Sequence, residues 1–161
     1  MIDYDRVLPL LAEGRVEFIA VGGTAANIHG SARVTSDLDI LYRRTADNIQ
    51  KLVSTLAPLR PYLRGAPPGL PFRWDIETIQ RGLNFTLVTD AGDVDLLGEI
   101  AGAGTYEDVV SLSVEVSFRG IVLRVINLDA LIDAKRAAGR PKDFEAIAEL
   151  EAIREERDSG G

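Results

Sequence analysis

Residues 20–42 read AVGGTAANIHGSARVTSDLDILY. An apolar run halts at Gly22-Gly23, a short helix-like stretch follows, and Asp37 and Asp39 then stand one residue apart on a segment otherwise built like a core strand. In a strand, side chains at i and i+2 share one face, so the two aspartates project together while Leu38, Ile40 and Tyr42 enter the core. Two bare carboxylates this close repel each other, and the cost grows as water is excluded. A divalent cation relieves that repulsion, and hard oxygen donors select Mg²⁺ or Mn²⁺. The stretch does not continue as a calcium loop, because Leu41 stands where another oxygen ligand would be wanted.

Working outward, a third acid of the same kind lies in GDVDLL (92–97), where Asp95 is flanked by Val94 and Leu96. Asp93 shares its face but adjoins the turn glycine Gly92, where acids are ordinary, so Asp95 is the favoured ligand and Asp93 its neighbour. Upstream, Gly22 and Gly23 follow a strand and open a helix. Lacking a Cβ, they let backbone amides approach a phosphate closely, and the helix N-terminus adds to that anion site. Thr24 contributes a hydroxyl donor. The pattern is neither GxGxxG nor GxxxxGK[ST], which disfavours a dinucleotide fold and a Walker ATPase. An isolated Asp-x-Asp is more often a solvated strand face. The ordered set of glycine turn, acid pair and second acidic strand is what argues for a metal site.

The rest of the chain supplies a scaffold for these strands. DYDRVLPLLAEG reads as a helix closed by Gly14, VEFIAV as a buried strand, and TAANIHG as a short helix ending at Gly30. Thr45 caps an amphipathic helix with apolar positions at Ile49, Leu52, Val53 and Leu56. Residues 58–73 hold five of the seven prolines and are expected to be a loop, lid or linker. LNFTLVT and DVDLLGEI form a hairpin across DAG, and VEVSF and IVLRVI pair across RG. TYEDVVSL is ambiguous. Asn127 and the Gly139-Arg140-Pro141 punctuation mark two closing helices. Interleaved helices and hairpins predict an α/β (α+β) fold with a mixed sheet flanked by helices. The expected organisation is one domain over 1–161, with a core at about 14–126 and the closing helices at about 127–157.

Composition narrows the function classes. Apolar residues make up 46% of the 161, enough for a sizeable core. The absence of cysteine excludes disulfides, thiolate zinc sites and a cysteine nucleophile. A net charge of −7 argues against tight non-specific duplex binding. The N-terminus lacks an apolar signal region and no run is long enough to span a bilayer, so a cytoplasmic protein with no membrane partner is expected. With His29 as the only histidine, a metal-dependent phosphatase is disfavoured.

GGTAANIHGSARVTSDLDI followed by VDLL resembles the nucleotidyltransferase fold of the DNA polymerase β superfamily, whose pattern is a Gly-Gly or Gly-Ser turn, an Asp-x-Asp strand and a third acid on a neighbouring strand. The resemblance implies two Mg²⁺ ions held by Asp37, Asp39 and Asp95, and a nucleotide triphosphate contacted by Gly22, Gly23 and Thr24. LIDAKRAAGRPKDFEAI is similar to the Lys…Arg-x-Lys-Asp segment of bacterial AbiEii-like nucleotidyltransferases, a group that includes toxins of toxin–antitoxin systems. That likeness implies that Lys135 reaches the phosphates and that Asp143 orients or supports the site. Independently, Lys135 continues the apolar stripe of Leu128, Leu131 and Ile132, and a cation on a buried face needs a reason. Snorkelling past the end of the stripe is the alternative. Asp143 falls in line with Ile147 and Leu150 on the last helix, or serves as an acid favoured at a helix start. His29 is expected to be structural. Arg33 and Thr35 either orient phosphate or base or hold their loop.

The expected activity is transfer of a nucleoside monophosphate from an NTP, such as ATP, to the hydroxyl of an acceptor, with release of pyrophosphate. Asp37 and Asp39 would hold the metals, Asp95 would also help remove the acceptor proton, and Lys135 would neutralise the leaving group. RNA, a protein and a small molecule are all open as acceptors. The alternative is a non-catalytic nucleotide-binding or interaction module, with an antitoxin-like protein as partner.

Overall fold

The computed structural model of the protein describes residues 1–160. Asp3 starts the first helix, α1 (Tyr4–Glu13), by accepting from the Arg6 amide at 3.2 Å. The chain enters β1 (Phe18–Ala20) and turns at once into α2 (Gly22–Ile28), so both glycines lie in the first helical turn rather than before it. β2 (Asp37–Tyr42) returns antiparallel to β1, and α3 (Ala46–Leu56) follows under its Thr45 cap. Then come β3 (Tyr62–Leu63), α4 (Ile76–Arg81), β4 (Phe85–Thr89), β5 (Gly92–Leu97) and the short α5 (Tyr106–Val109). The hairpin β6 (Ser113–Phe118) and β7 (Ile121–Ile126) leads to α6 (Leu128–Ala138) and α7 (Phe144–Gly160).

The seven strands form one mixed sheet in the order β3-β4-β5-β2-β1-β7-β6. β2 runs parallel to β5, and β1 parallel to β7, while the remaining neighbours are antiparallel. β1 and β2 are central, which explains why Phe18, Ile19, Ala20, Leu38, Ile40, Leu41 and Tyr42 are all buried. Each large apolar side chain of this kind contributes roughly 1.5–3 kcal/mol by leaving water. Asn48 fastens α3 to the start of β1: its Oδ1 accepts from the Glu17 amide at 2.7 Å, and its Nδ2 donates to the carbonyls of Glu17 and Arg43.

Several local expectations change. The proline-rich stretch 58–73 contains β3, whose two residues pair with Val88 and Leu87 of β4 and extend the sheet by one strand. Two residues give no periodicity, so the strand has no sequence signature. The ambiguous TYEDVVSL is a capping box (Thr105 and Asp108) on a single helical turn that runs into a 3-10 turn. Asp143 sits in the 3-10 turn Pro141–Asp143, just before α7 rather than on it. The acidic α7 is tied to the rest of the fold by polar contacts. Glu149 accepts from the Ser31 hydroxyl at 2.6 Å, Glu151 pairs with Arg136 at 2.9 Å, and Arg157 donates to the His29 carbonyl at 2.9 Å. No helix among the described residues is long and apolar enough to cross a membrane.

Candidate active site

Parallel pairing of β2 with β5 puts Asp37 opposite Asp93 and Asp39 opposite Asp95. Two i, i+2 pairs on adjacent strands thus form a square of four carboxyls on one face of the sheet. Asp37, Asp39 and Asp95 each offer an oxygen, and these oxygens lie within 4.8 Å of one another. A set made only of carboxylate oxygens at that separation suits a hard divalent cation, so the residues present fit Mg²⁺ or Mn²⁺.

The glycine turn meets this square. Gly22 has φ +55°, in the left-handed region, and a Cβ there would lie 2.8 Å from Asp39 Oδ2. Only glycine lets the backbone turn so close to the acid. The Gly23 amide donates to Asp39 Oδ2 at 3.0 Å, and a Cβ on Gly23 would strike the Thr35 methyl at 2.6 Å. Thr24 is 1% exposed, and its hydroxyl accepts from the Asp39 amide at 2.9 Å and approaches the Asp37 carbonyl at 3.4 Å. That side chain therefore pins α2 to β2 from inside the fold.

Burial raises the Asp39 carboxyl to about 7, aided by hydrogen bonding with and charge on Asp95 and by the charge on Asp37, against the lowering effect of the Gly23 amide. The cation that reaches the other three acids comes from the proline-rich stretch, which the sequence marks only as a loop, lid or linker. Arg64, directly after β3, extends its guanidinium into the square: Nη2 donates to Asp95 Oδ1 at 2.8 Å and to the Leu87 carbonyl at 2.9 Å. Its Nε is 3.2 Å from Asp93 Oδ2, and its Nη1 is 3.7 Å from Asp37 Oδ2. Three uncompensated acids in a sequence are a cue to search for an internal cation. Which arginine supplies it depends on the β3–β4 pairing.

Beside the square lies a cavity of about 420 Å³, with Gly22, Leu97, Glu99, Leu131, Lys135 and Arg140 among its walls. The carboxylates do not line it; Gly22 is the contact between the two. Asp143 is 7% exposed and faces two cations, Lys135 Nζ at 3.9 Å and Arg140 Nε at 2.7 Å. Lys135 and Arg140 bring two cations to this cavity, set against the acids Asp143 and Glu99. Arg33 points its guanidinium to Glu145 and Glu149 of α7, at 3.3 and 3.6 Å. Thr35 hydrogen-bonds with the Tyr4 hydroxyl and accepts from Asn27. His29 is buried, with Nε2 2.7 Å from the Ile126 carbonyl, and desolvation lowers its pKa despite that bond. The fold thus brings together Asp37, Asp39, Asp95, Gly22 and Gly23, and sets Lys135 across the adjoining cavity. Arg33 and Thr24 are engaged with the protein itself.

No family model matches the chain, and no curated protein matches it. Solved structures do. The crystal structure of ANT(2")-Ia in complex with adenylyl-2"-tobramycin superposes with a TM-score of 0.58 at 15% identity, covering 98% of this chain and 87% of that one. The solution structure of the antibiotic-resistance factor ANT(2'')-Ia gives 0.57 at 14% identity, over 97% and 91%. A Thermotoga maritima protein described as a "putative nucleotidyltransferase" gives 0.57 at 17% identity, over 94% and 96%. The seven-stranded mixed sheet and its flanking helices are therefore a nucleotidyltransferase-like fold.

Proposed function

We propose that the protein is a metal-dependent nucleotidyltransferase that moves a nucleoside monophosphate from an NTP to a hydroxyl acceptor and releases pyrophosphate. The observation that carries this reading is the convergence of Asp37, Asp39 and Asp95 within 4.8 Å beside the Gly22-Gly23 turn. Asp37, Asp39 and Asp95 would hold Mg²⁺, which when bound supplies Lewis-acid stabilisation of phosphoryl charge and a more acidic acceptor hydroxyl. Asp95, on the strand beside the Asp-x-Asp pair, accepts the hydroxyl proton. Lys135, with the α2 turn at Gly22, would face the triphosphate and offset charge on the departing pyrophosphate. Arg140 stands with Lys135 on the cavity wall against which the phosphates would rest. Among acceptors, the likeness to ANT(2")-Ia, solved with adenylyl-2"-tobramycin, supports a hydroxyl of a small molecule. The cytoplasm is the compartment that fits NTP chemistry and a cysteine-free chain.

The test is label transfer from each α-labelled NTP to a panel of small polyhydroxylated acceptors, with Mg²⁺ or Mn²⁺. Asp37→Asn and Asp39→Asn should each lower transfer by about 10³-fold or more while leaving the circular dichroism spectrum unchanged. Transfer at wild-type rate in the double variant would reject the reading.

A second reading, a module that binds nucleotide or a partner protein of antitoxin type without transfer, draws on Arg64. A guanidinium already seated among the acids lets them be folded without any metal. Metal-independent binding of an NTP, unaffected by Asp37→Asn, would favour it.

A further inference from the structure

The four carboxyls of β2 and β5 would be poorly tolerated if nothing offset their charge, and Arg64 is the cation that reaches three of them, Asp37, Asp93 and Asp95. Its seating is electrostatically strong and geometrically incomplete. Only Nη2 makes well-formed hydrogen bonds, to Asp95 and to the Leu87 carbonyl. Nε is buried without a hydrogen-bond partner, although Asp93 stands 3.2 Å away, and Nη1 remains 3.7 Å from Asp37. A permanent structural arginine of this kind usually spends its planar fork on a bidentate partner. Here the fork spans three acids and pairs fully with none.

The backbone at this position is fixed while the side chain is not enclosed. The Arg64 amide donates to the Thr86 carbonyl at 3.0 Å, which continues the β3–β4 ladder. The side chain is 30% exposed, so it has a path to solvent, and the next residue, Gly65, adds no side chain in its way. Two of the acids it contacts, Asp37 and Asp95, also belong to the oxygen set that fits a divalent cation.

We propose that Arg64 is a built-in counter-cation that competes with the divalent metal for Asp37 and Asp95, and so sets the metal affinity of the site. This inference rests on the metal-dependent reading given above. In the metal-free protein the guanidinium holds the two strands' acids together. When the divalent ion binds, the side chain leaves Asp37 and Asp95 and swings outward, while its backbone stays paired with β4. The affinity of the site is therefore the intrinsic affinity of the carboxylates reduced by the cost of displacing the arginine.

Mn²⁺ titration of the full chain, followed by electron paramagnetic resonance of the free ion, tests this in wild type, Arg64→Gln and Arg64→Lys. Arg64→Gln should bind Mn²⁺ about tenfold more tightly or better, because a competing charge has gone. It should also melt earlier than wild type without metal and recover on adding Mn²⁺. Arg64→Lys, which keeps the charge and loses the fork, should fall between the two. An Arg64→Gln affinity equal to or weaker than wild type would overturn the inference and leave the metal-dependent function standing. Absence of Mn²⁺ binding in all three proteins would overturn both. If Arg64→Gln fails to fold even with Mn²⁺ present, the arginine is structural and the inference fails. In wild type, the Arg64 Nε–H resonance should shift with Mg²⁺ concentration along the same curve as metal binding; a resonance indifferent to bound Mg²⁺ would also reject displacement.

Discussion

Asp39 is a buried acid whose titration bears directly on stability. Its folded-state carboxyl titrates at about 7, above the ordinary aspartate value, chiefly because of burial. Between the ordinary value and about 7 the folded protein holds a proton that the unfolded chain has released. The associated stability is complete at acid pH and is lost as pH rises through the folded value. Metal-free wild type should therefore melt at falling temperature from pH 5 to pH 8. Asp39→Asn removes the titrating group, and at pH 8 it should be more stable by about 1–2 kcal/mol, roughly 3–6 °C in melting temperature. A difference between the two proteins that does not vary with pH would contradict this origin. Saturating Mg²⁺ should reverse the order, stabilising wild type and not the variant. Thr24 illustrates the opposite kind of residue. Read along the chain it is a hydroxyl donor for a ligand, yet in the fold its oxygen is committed to the backbone of β2. Thr24→Val leaves the buried Asp39 amide without its acceptor and should cost about 1–3 kcal/mol by urea unfolding. Thr24→Ser should recover most of that loss.

At the scale of elements, the acid-bearing strand was legible because it combines alternation over Asp37–Ile40 with a capped, amphipathic α3 and a glycine-marked α2 on either side. The β4–β5 and β6–β7 hairpins were legible from turn residues bounded by β-rich runs. What could not be read is anything fixed by pairing between distant segments. β3 is two residues long, and its existence depends on β4 offering an edge. Arg64 owes its place in the site to that same edge, so a residue in a proline-rich stretch with no periodic signal became the cation nearest the acids. A closing helix was legible, but neither its start nor its role was. Its buried apolar contribution is confined to Ile147 and Leu150, and much of its attachment is polar, through Arg33, Ser31, Asp129 and Arg136. Exposed ion pairs are weak and screened by salt. Amide hydrogen exchange in α7 should therefore quicken by several-fold between low salt and about 1 M NaCl, with β1 and β2 unaffected. Equal salt sensitivity in α7 and the central strands would argue against an electrostatically attached helix.

At the scale of the whole molecule, the acids and the cavity cations lie in different places. The acids lie where β2 and β5 meet near the centre, and Lys135 and Arg140 come from the chain's last third. Gly22 joins the two regions, lining the cavity and lying against Asp39. The cavity itself could not be anticipated, since its walls come from the start of α2, β5, β7 and α6 together with the segments that precede β4 and follow β5 and α6.

The register of Asp37 with Asp93 and Asp39 with Asp95 also bears on how the chain acquires its native form. These partners are far apart in sequence, and the strands between and beside them must be ordered before the carboxyls face one another. A chain still searching for that register has no cluster of oxygens to offer an ion, so bound Mn²⁺ favours only the finished sheet. If the pairing is completed after the rate-limiting barrier, the ion will slow unfolding and leave the refolding rate almost unchanged. A stopped-flow chevron measured with Mn²⁺ and with chelator would show this as movement of the unfolding limb alone; a matching acceleration of refolding would mean that β2 and β5 are already aligned at the barrier.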